Sequence, residues 1–163
     1  RPVDFERRAR LLEEVEWGVV GGVYAREIFL KKLVAAPEDG RLKLHVIRSA
    51  LAARRARGAA FRSRSYLPLE ASGSSGFRVV AFGRGDGGER LIAAVPRRLG
   101  RLEGSPTDPA VWEDTMVPLP ADWPRRWACA LSGRSLVAQP DGLPVAELFA
   151  LLPVALLLSE SSP

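Results

Sequence analysis

The sequence predicts an α+β fold, with helices over residues 1–65 followed by an antiparallel β-sandwich domain over residues 66–163. Three observations carry that prediction. In the first part, apolar residues recur at three- and four-residue spacing, the signature of a helical face. After Tyr66 the pattern changes to short runs of β-forming residues broken by Gly, Pro, Ser and Asp, and strands so close together in sequence pair antiparallel. Finally, 47% hydrophobic and 26% charged residues over 163 positions describe a globular chain able to bury a core.

Each element has its own local reason. Asp4 is placed to cap a helix running to about Trp17, with Phe5, Ala9, Leu12 and Val15 on one face and a stop expected before Gly18. A weaker helix spans about Val23 to Ala35, offers Ile28, Phe29 and Leu33 for burial, and ends at Pro37. The third starts at Asp39 or Gly40 and shows a stripe of Leu44, Ile47 and Leu51 for burial. Arg41, Arg48 and Arg55 recur on another of its faces, and Gly58 is expected as its left-handed terminator. Strands are expected at Tyr66 to Glu70, Phe77 to Phe82, Leu91 to Val95, Thr115 to Leu119, Trp127 to Leu131 and Pro153 to Leu158. A short helix near residues 144–151 interrupts them, with Pro144 near its start. Ser72-Gly73-Ser74-Ser75-Gly76 reads as a surface turn.

Composition also limits function. The apolar run from Leu148 to Leu158 is broken by Pro153 and falls short of the roughly 20 residues needed to cross a bilayer, so no membrane partner is expected. One Cys and one His leave no set of ligands for structural zinc, and Cys129 is expected to be a small buried residue. Neither a metal nor a cofactor is expected. The net charge of +5 is uneven, because residues 1–65 carry 15 Lys/Arg against 8 Asp/Glu. Glu6, Glu13, Glu14, Glu16, Glu27, Glu38 and Asp39 alternate with those cations, which suits a solvated helix surface better than a nucleic-acid footprint.

Several motifs look chemical and are better explained structurally. Gly83 to Gly88 satisfies G-x-G-x-x-G, yet the residues after it read as a strand where a dinucleotide site needs a helix, so a hairpin loop is expected. The Arg84-Gly85-Asp86 triplet lies inside that loop. His45 sits mid-helix with no partner suggested by the sequence. Trp17, Trp112, Trp123 and Trp127 could stack on sugars, but packing is the commoner use of Trp. No pair of carboxylates stands on a rigid frame as glycosyl transfer requires, and no nucleophile elbow or phosphate loop is present. No residue is therefore assigned a catalytic role. The chain opens on Arg1 without Met or a leader pattern and is expected to be a piece of a longer protein.

Ordered blocks along the chain add a resemblance. Arg1-Pro2-Val3-Asp4-Phe5 with Arg7-Arg8-Ala9-Arg10-Leu11-Leu12, Asp39-Gly40-Arg41-Leu42-Lys43-Leu44 followed by Arg54-Arg55, and Tyr66-Leu67-Pro68-Leu69-Glu70 come first. Val79-Val80-Ala81-Phe82, Ala94-Val95-Pro96-Arg97, Asp114-Thr115 with Pro118-Leu119-Pro120, Leu131-Ser132-Gly133 and Leu143 to Phe149 with Pro153 to Leu157 follow. In this order they resemble the C-terminal portion of maltooligosyltrehalose synthases, a family of the α-amylase-like glycoside hydrolase group. The resemblance implies a parent that moves the reducing-end linkage of a maltooligosaccharide from α-1,4 to α-1,1, an intramolecular transglucosylation. It places the catalytic carboxylates on a (β/α)₈ barrel N-terminal to Arg1, so residues 1–65 would be helices packed on that barrel and this chain would be inactive alone. The barrel and, through it, the maltooligosaccharide are the implied partners, in the cytoplasm, with no nucleic acid. Arg1 and Asp4, beside the end of the last barrel strand, are the implied substrate-binding candidates at the cleft edge. A stand-alone carbohydrate-binding module and an Arg-rich nucleic-acid-binding domain are the alternatives. The barrel reading further expects one face of the first helices to be apolar and left uncovered by this chain.

Overall fold

A computed structural model describes residues 4–86 and 88–160. The chain begins with α1 (Phe5–Gly18), whose first turn is closed by the Asp4 carboxylate accepting from the Arg7 N–H at 2.8 Å. Such caps contribute about 1 kcal/mol. The helix continues through Gly18 instead of stopping before it. Glycine is needed there for packing: a Cβ would lie 2.2 Å from the ring of Phe29, on α2 (Gly22–Ala35). Pro37 ends the second helix as its rigid ring requires, and Gly40, at φ +91°, turns the chain into α3 (Arg41–Ala56). Gly58 does not terminate α3 in a left-handed turn; it opens α4 (Gly58–Arg62), a single short helix.

The side of α3 that is buried is the opposite of the expected one. Leu44 is only half-buried, while Ile47 and Leu51 are 45% and 57% exposed. His45 and Ala53 face inward instead, with half-buried Ser49 between them at four-residue spacing. Both rows fit a helical period, and the row in which small Ser49 and Ala53 follow the buried His45 is the one that meets the sheet.

The strands are β1 (Leu67–Leu69), β2 (Val79–Arg84), β3 (Leu91–Pro96), β4 (Met116–Val117), β5 (Arg126–Cys129), β6 (Ser135–Val137), β7 (Leu143–Pro144) and β8 (Ala155–Ser159). Six form one antiparallel sheet in the order β1-β2-β3-β8-β5-β6, and β4 pairs with β7 in a separate two-stranded ribbon. A fold of α+β class is therefore present, but the expected sandwich meets a different arrangement. The second sheet is a ribbon of two-residue strands, too small to form a facing layer. Its place in the core is taken by irregular chain and by α5 (Val145–Leu148), where the short helix was expected.

Register shows how the sheet is buried. Gly83 pairs with Ile92, Ile92 with Leu157, and Leu157 with Cys129, so these side chains form one row on one face. Trp123 lies over that row, and a Cβ on Gly83 would be 2.0 Å from its indole. Trp112, Trp127 and Phe149 are fully buried in the same core, with Trp112 edge-on to Phe149 at 5.2 Å. Each buried indole N–H is satisfied, Trp112 by the Pro106 carbonyl at 2.9 Å and Trp127 by that of Pro124 at 2.8 Å.

On the opposite face lie the helices. Leu158 of β8 pairs with Leu91 and lines a cleft with His45 and Ala53 of α3. Leu30, Leu33, Ala53 and Ala60 belong to the same apolar core as Ile92 and Leu157, so helices and sheet are packed together. The β2–β3 connection is the expected hairpin, and it ties the two parts. Asp86 accepts from the Ser63 hydroxyl at 2.6 Å, and the Arg84 guanidinium donates to the Ser63 and Ser65 carbonyls. The glycine-rich and Arg-Gly-Asp motifs are thus used in holding the fold, Gly87 itself lying outside the described residues.

Candidate functional site: an uncovered helical face

Of the two residues proposed for the cleft edge, Arg1 lies outside the described residues. Asp4 is exposed and borders a cleft of about 430 Å³ between the first turns of α1 and α3, together with Arg7, Leu11 and Lys43. One of its carboxylate oxygens is engaged in the helix cap. Asp39, also on this cleft, accepts from the Arg41 backbone N–H at 2.8 Å and from its Nε at 2.7 Å. Those bonds, reinforced by the guanidinium charge, hold its carboxyl below the usual carboxylate value. The Arg41 side chain also reaches Glu14 at 3.2 Å, and Arg48 reaches Glu16 at 3.1 Å, linking α1 to α3. Pairs this exposed contribute little individually.

Among the described residues, His45 is the titratable group placed deep between helix and sheet, 1% exposed. Its Nε2–H donates to the Leu131 carbonyl at 2.9 Å, which leaves Nδ1 as the unprotonated nitrogen. Burial pushes its pKa below the ordinary 6.5; the Leu131 carbonyl opposes this in part, and the positive charges of Arg26 and Arg48 add to the lowering. Buried in this way, it pins α3 to the β5–β6 turn and has no access to an external substrate. Stability should respond to pH accordingly. Below 6.5 the unfolded chain takes up a proton that the folded chain still refuses, so stability is full above 6.5 and falls as pH drops through it. Because His45 is the sole histidine, melts between pH 7.5 and 5 should show a slope that His45→Gln removes.

Three of the four tryptophans considered for sugar contact are core residues: Trp112 and Trp127 are fully buried and Trp123 is 9% exposed. Trp17 is the exception. It is 77% exposed, close in sequence to Val20 at 65%, Val23 at 71% and Tyr24 at 78%. All four lie at or beside the α1–α2 junction. Phe5 and Ile28 are also exposed, so apolar side chains of both helices face away from the core. Sequence periodicity indicated an apolar helical face, but the sharpest part of it lies in the connection after Trp17, where no period exists to reveal it. Among the described residues no group of three or more His, Cys, Asp or Glu could hold a metal ion. No helix among them is long and apolar enough to cross a membrane.

Comparison with known proteins bears on who the parent is. No family model matches the chain. Proteins described as putative maltooligosyl trehalose synthase in two strains of Mycobacterium tuberculosis are each 35% identical to it over 120 residues, 74% of this chain. A solved structure of a point variant of maltooligosyltrehalose synthase from Arthrobacter ramosus covers 98% of the chain with a TM-score of 0.67 and 29% identity. The chain belongs to the maltooligosyltrehalose synthase family. It fits a C-terminal portion of that enzyme and spans 14% of the curated relatives' length and 17% of the solved chain.

Proposed function

We propose that this chain is the supporting C-terminal portion of an enzyme that converts the reducing-end α-1,4 linkage of maltooligosaccharides to α-1,1 by intramolecular transglucosylation. In this reading the chemistry belongs to a (β/α)₈ barrel carrying the catalytic carboxylates, and the helices described here pack on that barrel. The maltooligosaccharide is met through the barrel, with Asp4 and Arg1 near the cleft edge. The chain alone is inactive. A cytoplasmic setting suits the single buried thiol of Cys129.

One observation carries the reading: Trp17, Val20, Val23 and Tyr24 stand 65% to 78% exposed at the α1–α2 junction of a chain spanning 14% of its relatives. Covering these side chains would remove roughly 500 Å² of mostly apolar surface, a gross gain on the order of 10 kcal/mol. Apolar patches of several hundred square ångströms are often functional, which favours an interface here. The sheet face, by contrast, is already filled by Trp112, Trp123 and Trp127, which speaks against a separate sugar-binding module built on those indoles.

The test is reconstitution. The chain is mixed with the separately produced N-terminal portion of the same enzyme and a maltooligosaccharide, and the product is analysed for a non-reducing α-1,1 end. Activity from the mixture and from neither part alone is the expected result. Retention of the chain on amylose without the other portion, and no activity on mixing, would sink the proposal.

A further inference from the structure

Residues 40–65 carry eight Lys/Arg and no Asp/Glu, a run of one sign that the even-handed charge pattern of α1 does not share. Three of the eight have partners from outside the run: Arg41 with Asp39 and Glu14, Arg48 with Glu16, and Arg57 with Glu89 at 3.6 Å. Among the described residues no ion pair is formed by Lys43, Arg54, Arg55, Arg62 or Arg64. Helical spacing places Lys43, Leu44, Ile47, Leu51, Arg54 and Arg55 on one side of α3. That is the side turned away from His45 and Ala53, and it holds an apolar row with cations at both ends.

This combination selects among partners. A nucleic-acid backbone would engage the cations, but it would lay phosphates along the apolar row from Leu44 to Leu51, which gains nothing from them. A protein surface with an apolar centre and a charged rim meets both parts. Docking on the catalytic portion, the reading above, supplies such a surface. We propose that this side of α3 receives an amphipathic segment of the larger remaining part of the enzyme, apolar along its centre and lined with Asp/Glu that meet Lys43, Arg54 and Arg55.

In the full-length enzyme, a benzophenone side chain placed at Leu51 and activated by light should link to one segment bearing at least two acidic residues within about a helical turn. Linkage to a segment without acidic residues, linkage to co-purified nucleic acid, or no linkage would overturn the inference. A second measurement reads the charge. In low salt, Arg54→Glu with Arg55→Glu should lower the unfolding midpoint of the full-length enzyme by several degrees, and the drop should at least halve in 1 M salt, where screening shortens to about 3 Å. The distant exposed Arg101→Glu serves as control and should leave the midpoint unchanged. An equal drop in both salts, or none, counts against the inference. The two proposals fail separately: an enzyme that makes no α-1,1 product but links Leu51 to an acidic segment refutes only the assigned reaction. Activity on mixing without such a link refutes only the docking site.

Discussion

Replacing Trp127 by Ala should destabilise the chain by about 3–5 kcal/mol, the range for emptying a fully buried indole site. The residue is fully buried on β5, paired with Leu136 of β6 and Ser159 of β8, and 6.0 Å from the Trp123 ring. Truncation removes the whole ring from a site where three strands meet and takes the donor from the Pro124 carbonyl. Domains of this size have a total stability of about 5–15 kcal/mol, so much of it would be lost. A thermal scan should show a midpoint lower by roughly 6–20 °C, at about 2–4 °C per kcal/mol for a domain of 150–250 residues. Trp127→Phe, which keeps most of the apolar volume but loses the N–H, should cost far less. Equal losses for the two variants would show that the hydrogen bond matters more than the packing.

Replacing Trp17 and Tyr24 together by Ser should act in the opposite way, sparing this chain while disabling its use. Both side chains are more than three-quarters exposed, so their loss removes almost no internal contact. The melting midpoint of the isolated chain should shift by less than about 2 °C, and its solubility should rise. Against the catalytic portion the change should be large. Buried at an interface, an exposed Trp and Tyr are worth about 2 kcal/mol or more each, so affinity in the reconstitution assay should fall by at least about 100-fold. Full activity of the mixture at the original concentrations with this double variant would remove the patch from the interface.

Much of the helical part could be read from sequence because its punctuation is local. Asp4 and Pro37 act through their own chemistry, a carboxylate cap and a fixed φ, and both boundaries appear where those properties put them. Burial was less legible. On α3 the row Leu44, Ile47, Leu51 is the more hydrophobic, yet the row His45, Ser49, Ala53 is the one that meets the sheet, and a period alone does not say which row has a neighbour. Ser49 and Ala53, small and four residues apart, were the available sign of close approach.

The sheet shows the same division. Six expected strands have counterparts, while Ser135–Val137 and Leu143–Pro144 went unread because three- and two-residue strands carry no alternation. Their order is not legible in the sequence, and hence a sandwich is expected where the structure has one six-stranded sheet and a small ribbon. One clue existed in Val154 to Leu158, an unbroken apolar run of the kind used by strands covered on both faces, and β8 is indeed central. For the candidate site, the sequence indicated an apolar helical face but not its most exposed part, since Trp17 to Tyr24 straddles a break between helices.

The central place of β8 has a consequence for synthesis. The β1–β3 meander and the β5–β6 hairpin are made first, each with an open edge, and the strand that joins them follows every other strand in chain order. Until it inserts, two unpaired edges are available to neighbouring chains as well as to each other. A chain cut short before Ala155 would therefore present the species most prone to aggregate, because nothing then joins the two waiting halves.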